Sequence, residues 1–323
     1  MRRPYEGNFS VLEGPVENLR GVDLFVDTVN GQDDRTGLSW DRCLATVEEA
    51  TARLAAPKFF GADYGPGNSR IWVVGDVREQ FTAPLGVFGV KIIGATGGRP
   101  RHSTEGGVCV EGNGCSWRAL ATAGNAPLIT LRQQGWEIQN ILMVPESGYS
   151  AVKLHRAESA TYPDASHFKA TGVKFISGGT RVGYGIEDVG GAYHVGVEDC
   201  EFQNLEFAWK QTSVGVDVPT SHLWQRNIFN GCKTDISMNA KSCVFKDNMF
   251  QTPYDVTTHP TTLNLIATAD AGVATASNLV LGNYFADAAA AVLISKGYKS
   301  ATGDVWRNFV TDTAAAIVAV PTA

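Results

Sequence analysis

Two short segments carry closely spaced carboxylates: Glu187 and Asp188 in GIEDVGG, and Glu198, Asp199 and Glu201 in VEDCEF. Paired carboxylates are the machinery of glycoside hydrolysis. One protonates the leaving oxygen and the other acts as nucleophile or base, at separations of about 5–5.5 Å or about 6.5–9.5 Å. Asp188, Glu198 and Glu201 are therefore candidate catalytic residues. Aromatic side chains able to stack on sugar rings lie close by in the chain. Trp209, Trp224 and Tyr193 are candidate glycan contacts, with Tyr184 and His194 beside them. A lyase would instead need Lys or Arg as the base against a uronic acid, often with Ca²⁺. Lys210 and Arg226 have the right chemistry for that role, but no clustered aspartates accompany them. No cofactor is expected: the chain has no phosphate-cradling loop, dinucleotide fingerprint or GxSxG elbow. The six histidines are scattered and no CxxC or HxxxH spacing points to zinc. Asp27, Asn30, Asp33 and Asp34 form an oxygen-rich loop that could hold a cation, but an Asx turn leading into the helix is the favoured reading.

These groups must be positioned by short strands. From Arg70 onward the chain is a series of Val, Ile, Leu and Phe runs broken by Gly, Asn, Asp and Ser, such as RIWVVGDV, GVKFISG and HLWQRNIFN. That texture is all-β. A weak repeat runs through it: an apolar anchor, Asn four residues later, and a large apolar residue six later. Trp136/Asn140/Leu142, Leu223/Asn227/Phe229, Val244/Asn248/Phe250 and Leu279/Asn283/Phe285 fit, and Val195/Asp199/Phe202 and Asp304/Asn308/Val310 fit loosely. The uneven spacing suits a solenoid of about 22–30 residues per coil, against a β-sandwich in which such pairs arise by chance. Stacked at about 4.8 Å, equivalent side chains become columns. The third residue after each anchor gives an outward column of Gln139, Glu198, Arg226, Asp247 and Gly282. Its alternating charges are worth roughly 0.2–1 kcal/mol per pair, which favours a structural charge ladder over a catalytic pair. The same register would turn Gln225 and Lys246 inward, so a bulge or a loose strand is expected there.

The N-terminal part is different. Val22–Val26 alternates as a strand, and DTVNGQDDRTGLSW is rich in turn residues. Thr46 and Glu49 form a capping box ahead of a helix with Val47, Ala50 and Leu54 on one face, stopped by Pro57. The stretch VDTVNGQDDRTGLSWDRCLATVEEA resembles the opening of right-handed parallel β-helix proteins of the pectate-lyase-like superfamily, through Asp27, Asn30, Gly31, Asp33, Gly37, Ser39 and Trp40. The resemblance implies an all-β, right-handed parallel β-helix over 22–323, with a capping helix near 44–56 and an attachment arm over 1–21. The superfamily includes polysaccharide lyases, glycoside hydrolases and phage tailspikes. A polar arm on a capped solenoid is similar to phage virion appendages on capsid, neck or tail. The function so implied is structural or adhesive, with binding of host-surface polysaccharide. The alternative is a tailspike depolymerase acting as hydrolase or lyase.

Composition narrows the partners. The chain has 323 residues and a net charge of −6, which argues against binding a nucleic-acid backbone. No apolar run approaches the ~20 residues of a membrane span, and MRRPYEGNFS shows no signal-peptide core. Cys109 and Cys115 enclose VEGNG, a spacing that fits a loop-closing disulfide or two buried thiols. The apolar C-terminal segment TAAAIVAVPTA would leave strand edges open unless covered. Docking on another subunit is expected, as a homotrimer, with other virion proteins meeting the arm or the C-terminal end. Assembly would occur in the host cytoplasm and residence in the virion.

Overall fold

The computed structural model describes residues 21–55, 68–95, 115–119, 126–155, 165–177, 181–189, 191–211, 221–238, 242–251, 263–265, 279–285 and 307–310. The expected arm, the C-terminal tail, Pro57 and Cys109 lie outside the described residues.

The strands form three parallel ladders, and the coils from Arg70 to Leu265 each contribute one strand to each in turn. The first ladder stacks Asp23–Asp27, Arg70–Val74, Lys91–Gly94, Glu137–Gln139, Lys169–Thr171, Gly196–Glu198, Leu223–Gln225, Val244–Lys246 and Leu279–Phe285. The second stacks Asp76–Val77, Cys115–Arg118, Ile141–Val144, Lys174–Ile176, Glu201–Gln203, Ile228–Asn230 and Met249–Phe250. The third runs from Phe81–Thr82 through Ser150–Leu154, Tyr184–Asp188 and Phe207–Gln211 to Leu263–Leu265. Leu279–Phe285 continues across the turn between the first two ladders, which joins them into one 17-stranded sheet beside a 7-stranded one. This is a parallel β-helix, in the right-handed sense that parallel crossovers take.

Period-two alternation fills the interior. On the second ladder the inward row is Trp117, Met143, Phe175, Phe202, Phe229 and Phe250. The phenylalanines lie almost parallel, 8°, 6° and 9° apart, with centroids at 4.8, 5.1 and 4.7 Å. That separation is simply the coil repeat. Trp224, inward on the first ladder, meets Trp209 of the third edge-on at 5.4 Å and 90°.

The turn between the first and second ladders corrects the register expected above. Asn140, Gly172, Asp199, Arg226, Asp247 and Gly282 all have φ between 53° and 68°. One left-handed residue per coil interrupts the alternation. Gln225 and Lys246 therefore stay in the outward strand row, in line with Glu198, and no bulge is needed. Arg226, Asp247 and Gly282 belong to the turn column with Asn140 and Asp199. The asparagines at 227, 248 and 283 form a separate buried column one residue further on. Each accepts a backbone N–H of the preceding coil: Cys200 N to Asn227 Oδ1 at 2.9 Å, Asn227 N to Asn248 Oδ1 at 3.0 Å, and Asn248 N to Asn283 Oδ1 at 2.9 Å. Their amide groups donate to Val197 O, Trp224 O and Phe245 O.

The helix α1 (Val47–Ala55) packs Val47, Ala50 and Leu54 onto the first coil. Thr46 Oγ1 accepts the Glu49 N–H at 3.1 Å, as a capping box requires. The Glu49 carboxylate instead takes Arg53 Nε at 2.8 Å. The remaining helix N–H groups go to Glu79, 31 and 32 residues away: Val47 N to Oε1 at 2.9 Å and Glu48 N to Oε2 at 2.8 Å. The top edge of the first strand is closed by backbone bonds with Gly37 and Leu44, which removes a free pairing edge. Gly31 is obligatory in this lid, because a Cβ there would strike the carbonyl oxygens of Leu44 and Asp27.

Candidate functional site

The candidate carboxylates are divided among three faces. Glu198 faces outward on the first ladder, 3.1 Å from Lys169 Nζ and 3.5 Å from Arg226 Nη2. Asp199, in the turn column, receives Arg226 through two parallel bonds of 2.8 Å. This bidentate pair, formed first by hydrogen bonding to Asp199, holds the guanidinium firmly protonated. Glu201 lies on the second ladder, 2.8 Å from the half-buried Lys174 Nζ. Glu187 belongs to the third ladder, between Lys153 and Lys210, and accepts Ser150 Oγ at 3.2 Å. The structure thus gathers Glu198 and Asp199 around Arg226. It leaves Glu187 on another face and sets Glu201 against Lys174. The charge-ladder reading describes this geometry, in the corrected register.

Asp188 is a correction. It is fully buried, and its Oδ1 accepts the N–H groups of Gly191 and Ala192 at 2.9 and 3.1 Å. A carboxylate that fixes a turn from inside cannot meet a substrate. Trp209 and Trp224 are corrections too. Both are 0 % exposed, because they occupy inward positions of their strands, and neither can stack on a sugar. Tyr193 is at the surface, 39 % exposed. Tyr184 lies against Phe207 and beneath Lys210 Nζ at 4.1 Å.

The oxygen-rich N-terminal loop is an Asx turn. Asp27 accepts the Val29 and Asn30 N–H groups at 2.9 and 3.0 Å and Asn30 Nδ2 at 3.1 Å. Burial pushes its carboxyl up, yet the bonds from Asn30 and Val29 outweigh this and hold it low. Asp33 accepts Ala45 N, Thr46 N and Thr46 Oγ1. Among the described residues no group of three or more His, Cys, Asp or Glu side chains is placed to hold a metal ion. The five described cysteines are buried, Cys43, Cys115 and Cys232 as free thiols, and burial with Asp76 nearby pushes Cys115 up to about 12. Among the described residues no helix is long and apolar enough to cross a membrane.

What the sequence reading missed is an outward row on the first ladder. Phe25, Trp72, Ile93, Gln139, Thr171, Glu198, Gln225 and Lys246 follow one another, coil by coil, in strict register. Trp40, 44 % exposed, packs on Phe25 at 4.8 Å. The Arg70 guanidinium lies 5.8 Å from the Trp72 ring centroid and holds Asp23 through bonds of 2.6 and 2.8 Å. Lys91 pairs with Glu137 at 2.8 Å in the adjoining row. The row thus begins with aromatic rings, passes the buried Ile93 and the buried Thr171 hydroxyl oxygen, and presents amide, carboxylate and ammonium groups at Gln139, Glu198, Gln225 and Lys246. The signal for it was present: in VDLFV and RIWVV the flanking Leu24, Val26, Ile71 and Val73 are inward, so Phe25 and Trp72 must be outward.

No protein-family model matches the chain, and no curated protein matches it. Among solved structures it is similar to a pectin methylesterase in complex with a hexasaccharide (10% identity, 84% of this chain and 80% of that one, TM-score 0.34). It is also similar to a rhamnogalacturonan lyase (9% identity, 82% and 74%, TM-score 0.30). A third is a lacto-N-biosidase from Eubacterium ramulus (9% identity, 95% and 70%, TM-score 0.29). At such scores no residue of these proteins is carried over to this chain, and the parallel β-helix assignment rests on the strand pairing described above.

Proposed function

We propose that this protein is a rigid rod that binds a linear polysaccharide along the outer face of its first ladder without cleaving it. The observation that carries this reading is the outward row that begins at Phe25 and Trp72, with Trp40 packed on Phe25, and continues through Gln139 and Gln225. Aromatic faces stack on pyranose rings and orient a chain end, and polar side chains at a regular repeat bond its hydroxyls. The absence of turnover is supported by Glu198, Asp199 and Glu201, each engaged by Lys or Arg. In biological terms the rod would be a phage virion appendage that adheres to host-surface polysaccharide. It would act as a homotrimer held by its arm or C-terminal end to other virion proteins. The monolithic stack of aromatic and amide columns suits such a part.

The test is affinity electrophoresis and reducing-end analysis with a panel of bacterial surface polysaccharides. Wild type should retard at least one polymer, which should keep its length. Trp72→Ala and Trp40→Ala should each weaken retention at least about tenfold, in line with losing an aromatic anchor. Retention unaffected by both substitutions overturns the site. New reducing ends that vanish in Glu198→Gln or Glu201→Gln establish the depolymerase reading instead.

A further inference from the structure

The connection from the third ladder back to the first has its own left-handed column, two residues before each first-ladder strand. Gly89 and Gly135 fill it on early coils, with φ of 65° and 80°; His167 and His194 follow at 59° and 58°. Histidine is among the few side chains tolerated in this region, so either residue alone is unremarked. Together they place two exposed imidazoles on adjacent coils, with ring centroids 5.0 Å apart and planes 34° from parallel. Tyr193 stands edge-on to both, at 5.8 Å from His167 and 5.5 Å from His194. Neither imidazole has a side-chain or backbone hydrogen-bond partner among the described residues. His222 lies behind them but does not join: it is buried, bonded through Nε2 to Ala192 O at 2.8 Å and packed on Trp209.

We propose that His167 and His194 chelate one zinc-class transition-metal ion across adjacent coils. Zinc bonds imidazole nitrogen at about 2.0–2.1 Å, so two nitrogens of a tetrahedral site lie about 3.3 Å apart. Rings centred 5.0 Å apart reach that by a rotation about χ2, a soft torsion in histidine. The remaining positions fall to water, the Tyr193 phenol or an external donor, which makes the site open rather than closed. The ion would tie two coils together and sit near the Lys169–Glu198 ion pair of the first ladder. This inference is independent of the polysaccharide reading.

Calorimetric titration of the untagged full chain with Zn²⁺ alone, at pH 7.5, tests it. One equivalent should bind, and the unfolding midpoint should rise with added metal. His167→Asn and His194→Asn, which retain tolerance for the left-handed turn, should each weaken binding at least about tenfold. The Co²⁺ complex should show no thiolate charge-transfer band, separating this site from the cysteines. Absence of saturable binding, or binding unchanged in both asparagine variants, overturns the proposal.

Discussion

The inner edge of the turn between the first and second ladders is built in two ways along the rod. Ile141, Val173 and Cys200 fill it in one half, and Asn227, Asn248 and Asn283 in the other. The backbone ahead of them is the same. Asn140, Gly172 and Asp199 have φ of 54°, 64° and 54°, and Arg226, Asp247 and Gly282 have 55°, 53° and 68°. The asparagines therefore do not create the turn. Coil stacking imposes it, and the amide column adds bonds between coils that the apolar half lacks. An amide is tolerated in the interior because all of its groups are used. The Phe175–Phe202–Phe229–Phe250 stack runs through both halves without a break. The halves thus share their packing and differ in their polar bonding.

Substitutions can separate these contributions. Phe202→Ala and Phe229→Ala, one on each side of the boundary, should cost about 3–5 kcal/mol alike, as large cavities do. Unequal losses in denaturant unfolding would show that packing is not shared. Asn248→Leu should cost about 2–4 kcal/mol, since it strips the acceptor from Asn227 N and the donor from Trp224 O inside the core. A loss no larger than for a surface site would mean the amide column is ornamental.

Glu79 is a further interior side chain that satisfies backbone N–H groups, but it titrates. Burial raises its carboxyl from 4.5 to about 7, despite the bonds from Val47 and Glu48. The native state then holds this proton more tightly than the unfolded chain does. Its contribution to stability is present below pH 4.5 and is lost as pH rises to about 7. The unfolding free energy of wild type minus that of Glu79→Gln should fall by about 1–3 kcal/mol across that window. A pH-independent difference would contradict the assignment. The smallest effect is expected for Cys200→Asn, which would extend the amide column by one coil, its Nδ2 meeting Asn227 Oδ1. Stability should change by less than about 1 kcal/mol, against the 1–3 kcal/mol of an unsatisfied buried amide. A larger loss would show that the two halves differ in backbone after all.

The solenoid was legible because its core side chains recur: Phe229 and Phe250 follow their anchors at constant spacing even where loops differ in length. The helix was legible for the same kind of reason, since Val47, Ala50 and Leu54 lie on one face. The column register was not. Asparagine serves both as the left-handed residue, at 140, and as the buried amide, at 227, 248 and 283, and residue type alone does not separate the two roles. Glu79 as helix cap could not be read either, because the contact depends on how coils stack rather than on any local pattern. Trp209 and Trp224 show a related limit. Proximity in the chain suggested a sugar platform, whereas strand alternation places both inside and sends Phe25 and Trp72 out.

The central claim is that a saccharide chain lies on the outward row of the first ladder. A crystal structure of the full chain with an oligosaccharide that it retains tests this most directly. A sugar ring stacked on Trp72 or Trp40, with the glycan running along Gln139 and Gln225, is the predicted result. A glycan seated on the third ladder, against Tyr184 and Lys210, or cleaved beside Glu198, would contradict it.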